Sequence, residues 1–145
     1  MADNLSLEPV MIEDGEFKGW FLSPKQDPYV KLIGPFYYQF DDAGHMRVAM
    51  KVDERHMNGG GIMHGGSMLS LADTALFAFA VGDLEGSRGV TMQLDSQFLN
   101  PGNVGDIVIA TGEVVRSGRT TIFARGMLHV GDKPIMAFSG VIRKF

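Results

Sequence analysis

Apolar and polar residues follow two different periods along this chain, and the changes of period mark its elements. From Gly89 to Leu99 the pattern alternates as a strand does. Val90, Met92, Leu94 and Phe98 oppose Thr91, Gln93, Asp95 and Gln97. Asn100-Pro101-Gly102-Asn103 breaks that run. Ile107 to Val115, a turn at Ser117-Gly118 and Thr120 to Val130 predict a hairpin, and Gly131-Asp132-Lys133-Pro134 turns the chain into a last strand, Ile135 to Ile142. Upstream, Phe36 to Phe40 and Met46 to Val52 predict two strands joined at Asp41-Asp42-Ala43-Gly44. Asp27-Pro28 through Ile33 predicts one short helix, because Asp is a good cap, Pro fits the first turn and Gly34 stops it. Ser67 to Val81 is the only long helical stretch, with Gly82 as its stop. Met1 to Ser23 shows no period and reads as an extended or partly ordered arm. The expected fold is α+β, an antiparallel sheet with one main helix packed on it. The arm takes residues 1–26 and a single domain takes 27–145.

The long helix is apolar in almost every direction, through Met68, Leu69, Leu71, Ala72, Ala75, Leu76 and Phe77 to Val81. A helix of that kind is buried on most sides. It requires a sheet that curls around it and a second surface, such as another subunit, over the rest. Its polar residues are Ser67, Ser70, Asp73 and Thr74. Asp73 stands out, since a carboxylate among apolar neighbours is costly to bury without partners. It is either a satisfied structural residue or a carboxylate whose partly dry surroundings raise its basicity.

Just before that helix lies Asn58-Gly59-Gly60-Gly61-Ile62-Met63-His64-Gly65-Gly66. Glycines let backbone approach a ligand closely. The loop runs into a helix N-terminus, where free N–H groups and the dipole favour developing negative charge, as an oxyanion hole requires. Loop and Asp73 together offer an electrophile holder and a base in one region.

Composition removes several classes of function. The chain has 145 residues, a net charge of −4 and no cysteine. The acidic balance argues against nucleic acid. The missing thiols exclude disulfides, a cysteine nucleophile and thiolate metal centres. His45, His56 and His129 share no metal-ligand spacing and read as surface or structural residues, so no metal is expected. No apolar run reaches the length of a membrane span and no signal peptide is visible at Met1 to Pro9, which fits a cytoplasmic protein. Arg116 and Arg119 flank the Ser117-Gly118 turn and Arg125 follows. They read either as a solvated hairpin tip or as contacts for phosphate oxygens. Trp20, Phe36, Tyr37 and Phe77 could line an apolar pocket, with core packing as the default for each.

Asn58, His64-Gly65-Gly66 and Ser70-Leu71-Ala72-Asp73-Thr74-Ala75, with Leu99-Asn100-Pro101-Gly102 and Gly105-Asp106 downstream, resemble the hotdog-fold thioesterases of the PaaI-like branch. The resemblance covers roughly Asp27 to Phe145. It implies a curved antiparallel sheet wrapped around one long central helix, a homodimer as the active unit, and dimers that pair into tetramers. It implies hydrolysis of a small aromatic or medium-chain acyl-CoA, with coenzyme A as part of the substrate and no cofactor. Carried over by position, Asp73 is the base or nucleophile, and Gly65 gives a backbone N–H to the thioester oxygen with Asn58 beside it. His64 orients the loop or assists the leaving thiolate. Thr91 falls where a related branch places a serine that helps position water. Gly66, Arg116 and Arg119 are the expected substrate contacts. The 4-hydroxybenzoyl-CoA branch has a threonine one turn beyond the acid, where this chain has Phe77, so that contact is not assigned. A hotdog dehydratase fits poorly, since His64 lacks the His-Phe-Pro-Gly context and the acid is Asp73. A non-catalytic acyl-CoA-binding protein is the other alternative.

Spacing adds a deduction of its own. Gly65 and Asp73 are eight positions apart, about 12 Å along a helix. A base and an oxyanion donor must both come within about 3 Å of the reacting atoms. The expected solution is a site built from Gly65 of one chain and Asp73 of another.

Overall fold

The computed structural model describes residues 8–145. The elements run β1 (Val10–Met11), β2 (Phe21–Leu22), α1 (Pro28–Ile33), β3 (Tyr37–Phe40), β4 (Met46–Lys51), α2 (Gly65–Phe79), α3 (Val81–Leu84), β5 (Gly89–Phe98), β6 (Ile107–Ser117), β7 (Thr121–Val130) and β8 (Lys133–Lys144). The strands form one sheet in the order β1-β2-β3-β4-β6-β7-β8-β5, and every paired neighbour is antiparallel. Helix α2 packs against β4, β6, β7, β8 and β5, so the sheet curls around it as its apolar surface required.

Local chemistry explains each helix boundary. The Asp27 carboxylate accepts from Val30 N–H at 2.8 Å, Pro28 opens α1, and Gly34 closes it. Helix α2 starts two residues earlier than the pattern predicts. The His64 imidazole caps it, with Nδ1 accepting from Gly66 N–H at 2.8 Å. It also ends earlier, at Phe79. Gly82, read as its stop, instead lies inside α3 after a bend at Ala80.

The core is the inner face of the sheet against α2. Val48, Met50, Leu71, Leu76, Ile122, Leu128, Ile135 and Ile142 are all buried there. Burying one such side chain contributes roughly 1.5–3 kcal/mol. Helix and sheet come close because glycines face the helix: a methyl group on Gly112 would overlap the Phe79 ring, and one on Gly140 would overlap Leu76. The Phe79 and Phe138 rings stack above this seat at 6.1 Å.

Two sequence expectations change. The described part of the arm, residues 8–26, joins the sheet, and residues 1–7 of it lie outside the described residues. Strands β1 and β2 pair with each other, and Phe21 pairs with Tyr38 of β3. Phe17 and Trp20 form a second buried cluster with Ala49 on the face of the sheet away from α2. An aperiodic stretch hid this because its strands are only two residues long. The alternation in β5 is also interrupted. The pairing with β8 shifts between Thr91 and Gln93, leaving Met92 as the extra residue of a bulge. One inserted residue reverses parity. Thr91 before the bulge and Leu94 after it are both half-buried, while Val90, Met92 and Phe98 are exposed.

Candidate active site

The glycine loop is rigidly anchored. His56 is 2 % exposed; its Nδ1 accepts from Asp53 N–H at 2.9 Å and its Nε2–H donates to Ile33 C=O at 2.6 Å. His56 C=O in turn accepts from His64 N–H at 2.7 Å and from the Ser67 hydroxyl at 2.8 Å. Arg55 reaches the carbonyls of Leu32 and Gly34, tying α1 to the loop. Its guanidinium also holds the Asp53 carboxyl below the usual carboxylate range. His56 is therefore structural, as expected. His45 sits by Asp41 in an exposed turn, and His129 bonds to Gly131 C=O.

Asn58 shapes the loop. Its Oδ1 accepts from Gly60 N–H at 2.8 Å and from Ile62 N–H at 3.3 Å, and Gly61 takes φ +81° to let the chain turn back. With the oxygen so engaged, the side-chain NH₂ has no acceptor among the described residues. Gly65 N–H, the first of α2, also has none. Both residues line one cavity of about 470 Å³ with Met63, Met68, Phe98 and Pro101. A Cβ on Gly65 would lie 3.1 Å from the Phe98 ring. Two N–H donors at a helix N-terminus in an apolar cavity suit a developing oxyanion. Gly66 N–H is engaged by His64 Nδ1 and serves the helix cap.

Asp73 lies elsewhere. It is half-buried two turns along α2 and lines a separate cavity of about 580 Å³ with Thr74, Phe77, Tyr38 and Phe21. The Thr91 hydroxyl donates to Asp73 Oδ1 at 2.5 Å, a short charge-assisted bond that fixes the carboxylate rotamer. Oδ2 accepts no hydrogen bond among the described residues. The sequence pattern could not reveal that contact, because the bulge at Met92 is what turns Thr91 inward.

Among the expected pocket aromatics, only Phe77 lines the Asp73 cavity. Trp20 packs under the Arg47 guanidinium at 5.0 Å on the opposite face of the sheet, and Tyr37 stacks on Phe17 at 3.7 Å. Phe36 is core, at 1 % exposure. Tyr38, within the aromatic run at Phe36 and Tyr37 that the sequence singled out, does meet Asp73's cavity beside Phe77, and so does Phe21, which went unnoticed in the sequence. Arg116 and Arg119 are exposed at the β6–β7 hairpin, whereas Arg125 is paired with Glu113 at 2.8 Å. That hairpin lies at the end of the sheet where β5 begins, opposite Gly65. No group of three or more His, Asp or Glu side chains converges as metal ligands among the described residues, and none of their helices is long and apolar enough to cross a membrane.

Comparison with known proteins gives the same architecture a context. A family model described as "thioesterase superfamily" matches residues 60–137. The acyl-coenzyme A thioesterase PaaI of Escherichia coli is 35% identical over 117 residues, 80% of this chain and 81% of that protein. Human acyl-coenzyme A thioesterase 13 is 29% identical over 80 residues, 55% of this chain and 57% of that one. The solved structure of the E. coli PaaI protein, from the phenylacetic acid degradation operon, superposes with a TM-score of 0.72 at 28% identity, covering 83% of this chain and 86% of that one. The curved sheet around a central helix is the hotdog fold.

Proposed function

The chain belongs to the thioesterase superfamily, in its PaaI-like hotdog branch, and from that premise we propose that it hydrolyses an acyl-CoA thioester carrying a small aromatic or medium-chain acyl group. The observation that carries this reading is the division of labour along α2. Two free N–H donors, Gly65 and Asn58, share one cavity, and a carboxylate oriented by Thr91 faces another. The similarity to PaaI supplies the coenzyme A thioester as the substrate class.

One chain cannot bring both parts to a single carbonyl, being separated by about 12 Å of helix. The proposed active unit is therefore a homodimer, with Gly65 and Asn58 from one protomer and Asp73 and Thr91 from its partner. Strand β5 supports this. It is the last strand of the sheet, ten residues long, with exposed Val90, Met92 and Phe98. A long apolar edge is a ready template for pairing with a second copy. Pairing of dimers into tetramers, which the resemblance implies, is measured by light scattering.

In the proposed reaction the thioester oxygen sits on Gly65 N–H and Asn58 NH₂, where α2's N-terminal partial charge favours the oxyanion. Asp73 Oδ2 takes a proton from water as the water oxygen bonds to the carbonyl carbon. Collapse breaks the C–S bond, the proton passes to sulfur, and free acid and coenzyme A thiol leave. In the alternative route Oδ2 itself attacks, and water then opens the anhydride. In a single turnover in ¹⁸O-water, label in the Asp73 carboxylate identifies the second route with water attacking the Asp73 carbonyl, and trapping of the acyl–Asp73 anhydride with hydroxylamine identifies that route whichever carbonyl water attacks. His64 acts as the helix cap, and Arg116 and Arg119 are the proposed partners of coenzyme A phosphates.

The decisive experiment is thiol release from a panel of acyl-CoAs, without added metal and again with chelator. Release at the same rate in both supports the reading. Binding without release identifies an acyl-CoA-binding protein instead. A rate abolished by chelator and restored by one metal overturns the metal-free mechanism.

A further inference from the structure

We infer that the N-terminal arm, through Phe21, sets the acyl selectivity of this site by limiting how far the acyl group reaches beyond Asp73; the inference rests on the thioesterase reading above. The cavity that begins at Asp73 is walled on one side by α2 and α3, through Phe77 and Val81, spaced at helical intervals from Asp73. Its other side is Tyr38 of β3 and Phe21 of β2. The added strand β2 thus extends the sheet past β3 and carries the cavity's far wall. This wall lies outside residues 60–137, the part of the chain the family model matches.

Strand alternation makes the wall firm. Trp20 and Phe17 point to the outer face, where they are buried against Ala49, and the Phe17 and Trp20 rings meet edge-on at 6.2 Å. Glu16 pairs with Lys51 at 2.5 Å, and Gly19 C=O accepts from the Gln39 amide at 3.1 Å. Phe21, one residue on, is turned to the opposite face. There its ring stacks on Tyr38 at 5.9 Å and on Phe40 at 6.4 Å. The contacts that hold Phe17, Trp20 and Glu16 do not involve the cavity, and among the arm's described residues Phe21 is the large side chain presented to it. Tyr38 stays a neutral phenol, since burial and then the Asp27 carboxylate push its ionisation up. Three aromatic walls, Phe21, Tyr38 and Phe77, offer edge and face partners to a ring. The acyl group they suit is an aryl-bearing one that ends at Phe21.

The test compares kcat/KM for an arylacetyl-CoA and for a long straight-chain acyl-CoA, in the full chain and in Phe21→Ala and Phe21→Leu. The expected result is a shift of the ratio toward the long chain by about 10-fold or more in Phe21→Ala, and a smaller shift in the same direction in Phe21→Leu. Apolar pockets discriminate chain length on the order of 10–200-fold per methylene. Circular dichroism confirms that each variant is folded; if Phe21→Ala is not, the Phe21→Leu shift decides. A parent that hydrolyses acyl-CoAs while the variants keep its ratio overturns the arm's role and leaves the proposed function standing. A parent that releases no thiol from any acyl-CoA overturns both.

Discussion

The first turn of α2 and its middle teach opposite lessons about how one helix can serve chemistry. At Gly65 the helix offers backbone. Its donor comes from the unsatisfied first turn, and around it His64, Ser67 and the Asn58 oxygen hold the loop, which leaves the Asn58 NH₂ free beside the Gly65 N–H. At Asp73 the backbone is fully used within the helix, and the chemistry lies in a side chain steered from another strand by Thr91. The first region depends on the absence of Cβ atoms, the second on a particular carboxylate. The two face separate cavities, so a rigid helix that holds both parts also keeps them from meeting in one chain.

That contrast is sharpest in Asp73→Asn. It keeps the shape and the Thr91 contact and removes the basic oxygen, so turnover should fall by about 10²–10⁴ with little change in stability. Turnover within a few-fold of the parent makes Asp73 structural. Next comes complementation. Asn58→Ala and Asp73→Ala should each disable both sites of their own homodimers. Refolded together with random pairing, about half the dimers are mixed and one of two sites in each is intact, giving roughly a quarter of parent activity. Differently tagged chains report the mixing. Mixed dimers that stay as inactive as the two parents break the two-chain site.

Gly65→Ala probes the backbone end. Its Cβ must push an exposed Phe98 ring by a few tenths of an ångström. Alanine's better helix propensity offsets part of that, so the melting temperature should hold while kcat/KM falls about 10-fold as the donor is displaced. An unchanged rate in the folded variant argues against a donor at this position. Thr91→Val removes the hydroxyl that fixes Asp73 and should lower kcat several-fold with KM nearly constant. An equal loss in KM assigns Thr91 to substrate binding. His64→Asn should have the smallest effect, within about two-fold in rate and ~0.5 kcal/mol in stability, because asparagine also caps helices. A rate loss above 100-fold in a stably folded variant makes His64 a participant in thiolate departure.

Much of the fold was legible. The period-two runs gave β3 to β8, Asp27, Pro28 and Gly34 gave α1, and an apolar α2 demanded a curved sheet. The site residues were legible as types, through glycines before a helix and one carboxylate on it. The arm was not legible, because its two strands have two residues each and draw their stability from Phe17 and Trp20 packing on Ala49, a contact distant in sequence. Nor was the inward turn of Thr91, since a bulge of one residue leaves no trace in an alternating pattern yet reverses which face each later side chain takes.

Periodicity and capping act between residues a few positions apart, so the sequence by itself determined α1, the long helix and strands β3 to β8, the free N–H groups where the glycine loop enters that helix, and the eight-residue separation of Gly65 from Asp73. What fills the space beside Asp73 depends on which distant strands reach it. That was decided only when the sheet closed around α2 and brought Phe21 and Tyr38 to one cavity with Phe77. A cavity is bounded by surfaces from separate elements, and no local pattern encodes where those surfaces meet.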